Sequence, residues 1–241
     1  MAKQTQRLDK FLAATTDLTR SLAKKALHRE EVKVNGEVVK NPAVQIGDQD
    51  EVTWLDQELQ DVGLRYLLVH KPLGYECTTR SSHHPLVLDL LDLPSKHLIQ
   101  TVGRLDVETS GLLLMTDDGQ WLHKITSPRY QKDKVYWAEL AEPLQEDAEK
   151  RVAEGLLLEG EDKPTQPATL ERLTPTQVRL TVTEGRYHLV RRIFAALGNH
   201  VVRLHRESVA GIHLNTQELP AGAWRYLTEQ EVHQAMQTPG N

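Results

Sequence analysis

Asp106 is the residue that type and spacing single out for chemistry. It closes the run Val102-Gly103-Arg104-Leu105-Asp106, and Thr109-Ser110-Gly111 then leads into the apolar run Leu112-Leu113-Leu114-Met115. Four consecutive apolar residues read as a strand buried on both faces, and Asp117-Asp118-Gly119 reads as the turn that ends it. A carboxylate beside such a strand loses hydration, a cost that a partner must offset. An opposite charge within a few ångströms would keep Asp106 ionised, and Arg191 stands where a second element could deliver one. An ionised, oriented aspartate is a candidate nucleophile. Tyr136 offers a ring face on which a base could stack and a phenol for proton handling.

Other chemistries lack their residues. There is no phosphate-binding glycine loop, no GxGxxG and no GxSxG. The eleven histidines are scattered, and the adjacent His83-His84 cannot give the i, i+4 geometry of a helical zinc site, so no metal is expected. The single cysteine, Cys77, excludes an internal disulfide and suits a reducing cytoplasm. The segment Met1 to Arg7 has no apolar core of a signal peptide, and no apolar run approaches membrane-spanning length. A net charge of −5 argues against a globally basic nucleic-acid binder, so local charge decides.

The elements that must position these residues fall into two regions. Residues 1–60 form a small module. Leu8, Phe11 and Leu12 mark a first helix, Thr19 caps a second running to about Arg29, and Asn35-Gly36 joins strands at Val32-Val34 and Val38-Val39. Residues 1–40 carry a net of +4 and residues 41–60 a net of −5. Arg20, Lys24, Lys25 and Arg29 share one helix face, which could grip a phosphate backbone or could simply be solvated. Gln57 to Gly63 reads as a linker.

Residues 61–241 follow. Strands are expected at Tyr66-Val69, Lys134-Leu140, Ala168-Leu173, Gln177-Val182 and Val201-Leu204. Helices are expected around Trp121-Ile125, Val152-Leu158 (helical or mixed) and Tyr187-Leu197, with a short helix or turn at Leu86-Leu93, a loop at Ser81-Pro85 and a last short segment at Leu227-Met236. Strands and helices do not alternate strictly, so the fold class is α+β with a mixed, mostly antiparallel sheet. Residues 181–210 carry a net of +3. Arg186, His188 and Arg192, interleaved with Tyr187, suit contact with RNA, although surface arginines on a solvated helix would look the same.

Two resemblances sharpen this reading. Arg7-Leu8-Asp9-Lys10-Phe11-Leu12, Thr19-Arg20-Ser21 and Val32-Lys33-Val34-Asn35-Gly36 resemble the S4 domain, a small αL-type RNA-binding module, over about residues 6–53. This implies RNA contact through Arg7, Arg20, Lys24, Lys25, Arg29 and Lys33. Four further motifs resemble the RsuA-type branch of the pseudouridine synthases, and that likeness covers nearly the whole chain. They are Lys71-Pro72-Leu73-Gly74-Tyr75, Gly103-Arg104-Leu105-Asp106 through Asp118-Gly119, Lys134-Val135-Tyr136, and Glu184-Gly185-Arg186-Tyr187-His188 with Arg191-Arg192.

The resemblance implies that Asp106 is the nucleophile and that Arg104 helps expel the target uridine and fills its place. It implies that Tyr136 stacks under the base and that Arg191 pairs with the aspartate. His70 stands where the family usually has Asn, and Leu189 where it usually has Gln. A second Arg-Leu-Asp, Arg7-Leu8-Asp9, is expected to carry a solvent-facing or capping acid.

The implied reaction isomerises a flipped-out uridine to pseudouridine without a cofactor. Asp106 could attack C1′ or C6. The substrate would be small-subunit (16S) rRNA at the uridine usually numbered 516, and the enzyme a cytoplasmic monomer serving ribosome biogenesis. The alternatives are a large-subunit (23S) rRNA enzyme of the same family, a non-catalytic ribosome-assembly factor, or an Asp-dependent hydrolase of a small glycoside.

Overall fold

The computed structural model describes residues 5–47, 49–59, 63–78 and 83–237. Its contacts divide the chain into two compact units, Met1–Arg65 with Asp92–Ile99, and Tyr66–Leu91 with Gln100–Asn241. Of the loop expected at Ser81-Pro85, Ser81 and Ser82 lie outside the described residues, as do residues 60–62 of the expected linker.

The first unit contains β1 (Gln6–Arg7), α1 (Leu8–Thr15), α2 (Arg20–His28), β2 (Val32–Val34), β3 (Glu37–Val38), β4 (Gln45–Ile46), β5 (Val52–Trp54) and β6 (Gln57–Leu59). The i, i+3, i+4 positions Leu8, Phe11 and Leu12 of α1 pack with Ala23, Ala26 and Leu27 of α2 and with Val32, Ile46 and Val52. Thr19 caps α2, its hydroxyl accepting from the Leu22 N–H at 3.3 Å. Asn35 and Gly36, with φ of 52° and 82°, close the β2–β3 hairpin.

Two expectations for this unit are corrected. Gln57–Leu59 is not linker but a strand paired with β5. Leu55 and Asp56 make the two-residue turn between them with φ of 51° and 62°, values that a Leu-Asp pair does not advertise. Asp9 is neither solvent-facing nor a cap. It is fully buried, with Arg7 Nε at 3.0 Å and Arg20 Nη2 at 2.8 Å from its oxygens. The Arg7 hydrogen bond, helped by Arg20 and opposed by burial, holds its carboxyl down at about 2.

The second unit contains β7 (Tyr66–Lys71), β8 (Gln100–Val102), β9 (Thr109–Thr116), α3 (Gly119–Thr126), β10 (Lys134–Leu140), α4 (Ala148–Glu154), β11 (Thr169–Arg172), β12 (Gln177–Val182), α5 (Leu189–Ala196), β13 (Val201–Val209), β14 (Ile212–His213), β15 (Trp224–Tyr226) and α6 (Glu229–Met236). Among the described residues nine strands form one mixed sheet. Its order is β11-β12-β10-β13-β9-β7-β15, with β8 paired to β9 and β14 to β13. Among the described strands of this sheet only the β13–β9 pair is parallel. Leu112 to Met115 are fully buried, as a two-face strand requires. Leu112 and Leu114 pack with Leu68 and Val102 against Trp121 and Ile125 of α3 and Ala235 of α6.

Local differences here matter for the site. Asp118 does not end β9 in a turn but caps α3, its Oδ1 accepting from the N–H groups of Gln120 and Trp121. Strand β13 runs past Leu204 to Val209, and its alternation puts Leu204, Arg206 and Ser208 on the buried phase. Helix α4 begins four residues ahead of the Val152-Leu158 segment expected to be helical or mixed, and ends within it at Glu154. Gly111 faces Arg206 across the parallel pair with φ of 117°. A Cβ there would lie 2.3 Å from the Arg206 carbonyl oxygen, so only glycine lets β9 and β13 approach.

Candidate active site

Asp106 sits on the segment between β8 and β9, entered through Gly103 at a φ of 78°. Groups from β7, the loop after it and β13 hold that segment by its backbone. Lys71, at the end of β7, donates from Nζ to the Thr109 carbonyl at 2.7 Å and to the Val107 carbonyl at 3.5 Å. The Gly74 N–H donates to the Val107 carbonyl at 2.8 Å. The Leu105 N–H donates to Cys77 Sγ at 3.4 Å. Arg206 Nη1 reaches the Arg104 carbonyl at 3.4 Å. The Lys-Pro-Leu-Gly motif is therefore the clamp of the Asp106 loop. Burial lowers Lys71 to about 8, with Cys77 and Asp106 opposing the shift. Burial also pushes the Cys77 thiol up, which suits an acceptor of hydrogen bonds and not a nucleophile.

The Asp106 side chain is about one-third exposed, and its ionic contact is with His188, Nε2 to Oδ1 at 3.4 Å. Helix α5 begins at Leu189, two residues later than expected. His188 adopts the left-handed conformation, φ 49°, and this turns its ring to Asp106. The exposed Tyr187 ring stacks on it, 3.8 Å between centres at 17°.

The expected Arg191–Asp106 ion pair is not formed. Arg191 instead donates to the carbonyls of Val201 at 3.1 Å and Glu108 at 3.3 Å, and its guanidinium lies 3.9 Å from the Glu108 carboxylate. Helix α5 thus pins the backbone two residues past Asp106, an indirect hold on the aspartate.

Tyr136 is buried on β10, its phenol oxygen 3.3 Å from Arg206 Nη1 and its ring 5.9 Å from the Arg206 guanidinium carbon. Asp106, Arg104, Tyr136, His188, Arg191 and Arg206 line one cleft of about 1000 Å³.

The other cations divide by what they touch. Arg186 binds Glu184 at 2.8 Å and the carbonyls of Lys163 and Pro164, while Arg192 binds Glu161 at 2.9 Å and the Glu159 carbonyl. Both brace the 159–164 segment, and their charges are balanced within the fold. In the first unit Arg7 and Arg20 serve Asp9, Lys33 pairs with Asp56 at 2.6 Å, and Arg29 lies 3.8 Å from Glu31. Lys24 and Lys25 are exposed on α2 and form no ion pair among the described residues.

Residues 65–196 match the family described as RNA pseudouridylate synthase, and residues 6–52 match the S4 domain. The chain belongs to the RNA pseudouridylate synthase family. It is 47% identical over 227 residues to the ribosomal small subunit pseudouridine synthase A of Escherichia coli strain K12, covering 94% of this chain and 98% of that one. The protein of the same description from Haemophilus influenzae is 45% identical, covering 94% and 97%. A crystal structure of a pseudouridylate synthase superposes with a TM-score of 0.69 at 45% identity, covering 95% of this chain and 99% of the other.

Arg206 is the residue of this synthase's cleft that motif reading missed. In the sequence it only adds to the net charge of residues 181–210. The available signal was its place on the buried phase of β13 beside Leu204 and Ser208, where an arginine has to have a purpose. Among the described residues no group of three or more His, Cys, Asp or Glu side chains is arranged to hold a metal, and no helix is long and apolar enough to cross a membrane.

Proposed function

We propose that this synthase converts a uridine of small-subunit (16S) rRNA to pseudouridine, with Asp106 as the nucleophile. The carrying observation is a partly exposed Asp106 in a cleft with Tyr136 and Arg104, paired among the described residues with His188, so that its carboxylate is held but not consumed. The small-subunit assignment rests on the 47% and 45% identities, and the particular uridine on the resemblance stated above. In the reaction the N1–C1′ bond breaks and a C5–C1′ bond forms. C5 loses its proton and N1 gains one, so no cofactor is called for. Tyr136 would carry the base, and Arg104 would occupy the space the uridine leaves.

Residues 1–60 would form the RNA-binding module and residues 61–241 the catalytic domain. Lys24, Lys25 and Arg29 of α2 would engage phosphates, contacts that position the RNA without reading its sequence. The protein would act as a cytoplasmic monomer. Mapping pseudouridine in rRNA from a strain lacking the protein tests this. One small-subunit site should disappear. Retention of every site contradicts the proposal, and loss from large-subunit rRNA favours the alternative target.

A further inference from the structure

Arg206 is buried on β13 to 2% exposure, yet among the described residues its hydrogen bonds reach no carboxylate. Its Nε donates to the Leu112 carbonyl at 2.8 Å, and its Nη1 to the Tyr136 phenol and the Arg104 carbonyl. Its Nη2 has no hydrogen-bond partner. Among the described residues only Arg206 Nη2 and Thr109 Oγ1 are buried side-chain polar atoms in this position, and both residues line the Asp106 cleft.

Two further cations lie nearby. Lys71 and Lys134 give their ammonium groups to neutral carbonyls, those of Pro72, Val107 and Thr109 and those of Lys132 and Thr183. Their closeness to Arg206 is felt, since it helps burial lower both amines. A buried guanidinium satisfied only by neutral acceptors leaves positive charge uncompensated, which is costly unless an anion arrives. The anion is formed by the reaction proposed above, and this inference rests on that reading. When N1–C1′ breaks, the bond pair stays with the uracil ring and spreads to its O2 and O4.

We propose that Arg206 is a catalytic residue: its Nη2 donates to a carbonyl oxygen of the flipped uracil and stabilises the ring's negative charge while C1′ is held by Asp106. The ring then turns and C5 displaces the Asp106 carboxylate from C1′. C5 releases its proton and N1 takes one, so atoms and electrons balance. A donor fixed in advance in a buried site acts most strongly on charge that appears only during reaction. Arg206 is too deep to meet a backbone phosphate, whereas Tyr136 beside it offers the face on which a base would stack.

The test compares wild type, Arg206→Gln and Arg206→Lys on small-subunit rRNA carrying uridine or 5-fluorouridine. The fluorine makes uracil a more stable anion and so less dependent on a donor; C5 then has no proton to release, so the rejoined ring takes up water at C6 and the rate is read from loss of the N1-linked nucleoside. Arg206→Gln should slow single-turnover loss of uridine about 100-fold and of 5-fluorouridine only about tenfold, with RNA affinity within about threefold of wild type. Arg206→Lys should recover part of the rate. Equal slowing on both RNAs, or none, overturns the inference. So does lost affinity with the saturated rate intact, which would make Arg206 a phosphate contact. Wild type converting neither RNA overturns the functional reading itself. Should both variants fail to fold, wild type decides. 5-Nitrouracil, an anion at neutral pH, should inhibit it about tenfold better than neutral thymine. Equal inhibition, or none by either, overturns the inference.

Discussion

Arg-Leu-Asp occurs twice in this chain, and the two copies are put to opposite uses. In Arg7-Leu8-Asp9 the carboxylate is fully buried and closed by two guanidiniums, one from its own triplet and one from α2. In Arg104-Leu105-Asp106 the arginine is exposed in the cleft, and the aspartate meets one imidazole at 3.4 Å. Leu8 and Leu105 are both buried, so each triplet is anchored the same way. What differs is whether neighbours exhaust the carboxylate. A saturated aspartate is a structural brace. An aspartate held through its backbone, with its oxygens facing a cleft, is free to react.

That contrast can be broken by exchanging the two acids for their amides. Asp106→Asn should cost about 10⁴-fold in single-turnover pseudouridine formation with the melting temperature unchanged. Asp9→Asn should put a poorly satisfied amide in a buried position and leave two half-exposed guanidiniums without their acceptor, destabilising the first unit by about 3 kcal/mol in urea unfolding.

Gly111→Ala tests the strand on which the second triplet leans. Forcing a side chain against the Arg206 backbone at that φ should cost about 3 kcal/mol and lower activity with it. Acid should also separate the copies. Asp9 is lowered from 3.8 to about 2, so its stabilisation is present above the unfolded value and lost as pH falls through about 2. It amounts to about 2 kcal/mol and should vanish from the acid-unfolding curve of Asp9→Asn. The smallest effect concerns charge left over for RNA. Because Arg7 and Arg20 are committed to Asp9, Lys24→Ala and Lys25→Ala should each reduce the salt dependence of RNA binding by about one ion. The rate on saturating RNA should not change.

Much of this was legible where the signal is local. The Thr19 cap, the Asn35-Gly36 hairpin and the buried run Leu112 to Met115 follow from neighbouring residues alone. The strand pairing Gln57–Leu59 was hidden because Leu55-Asp56 lacks turn chemistry, and its left-handed backbone is imposed by the sheet it joins. In the site, residue type singled out Asp106 and Tyr136 and the family resemblance added Arg104, and the structure brings the three into one cleft. Neither signal revealed that His188 takes the place beside Asp106 expected of Arg191, because that depends on one left-handed residue ahead of α5. The burial of Asp9 was equally hidden, since a second helix supplies Arg20 to close it; Arg206 had a local signal in the alternation of β13, but its partners Leu112 and Tyr136 lie far away in the chain.

The most direct measurement is tritium release from small-subunit rRNA labelled at C5 of uridine, with wild type, Asp106→Asn and Asp9→Asn assayed side by side below their melting temperatures. Wild type and Asp9→Asn should release tritium and Asp106→Asn should release none above background. Release by Asp106→Asn at the wild-type rate would contradict the assignment of the chemistry to the second triplet.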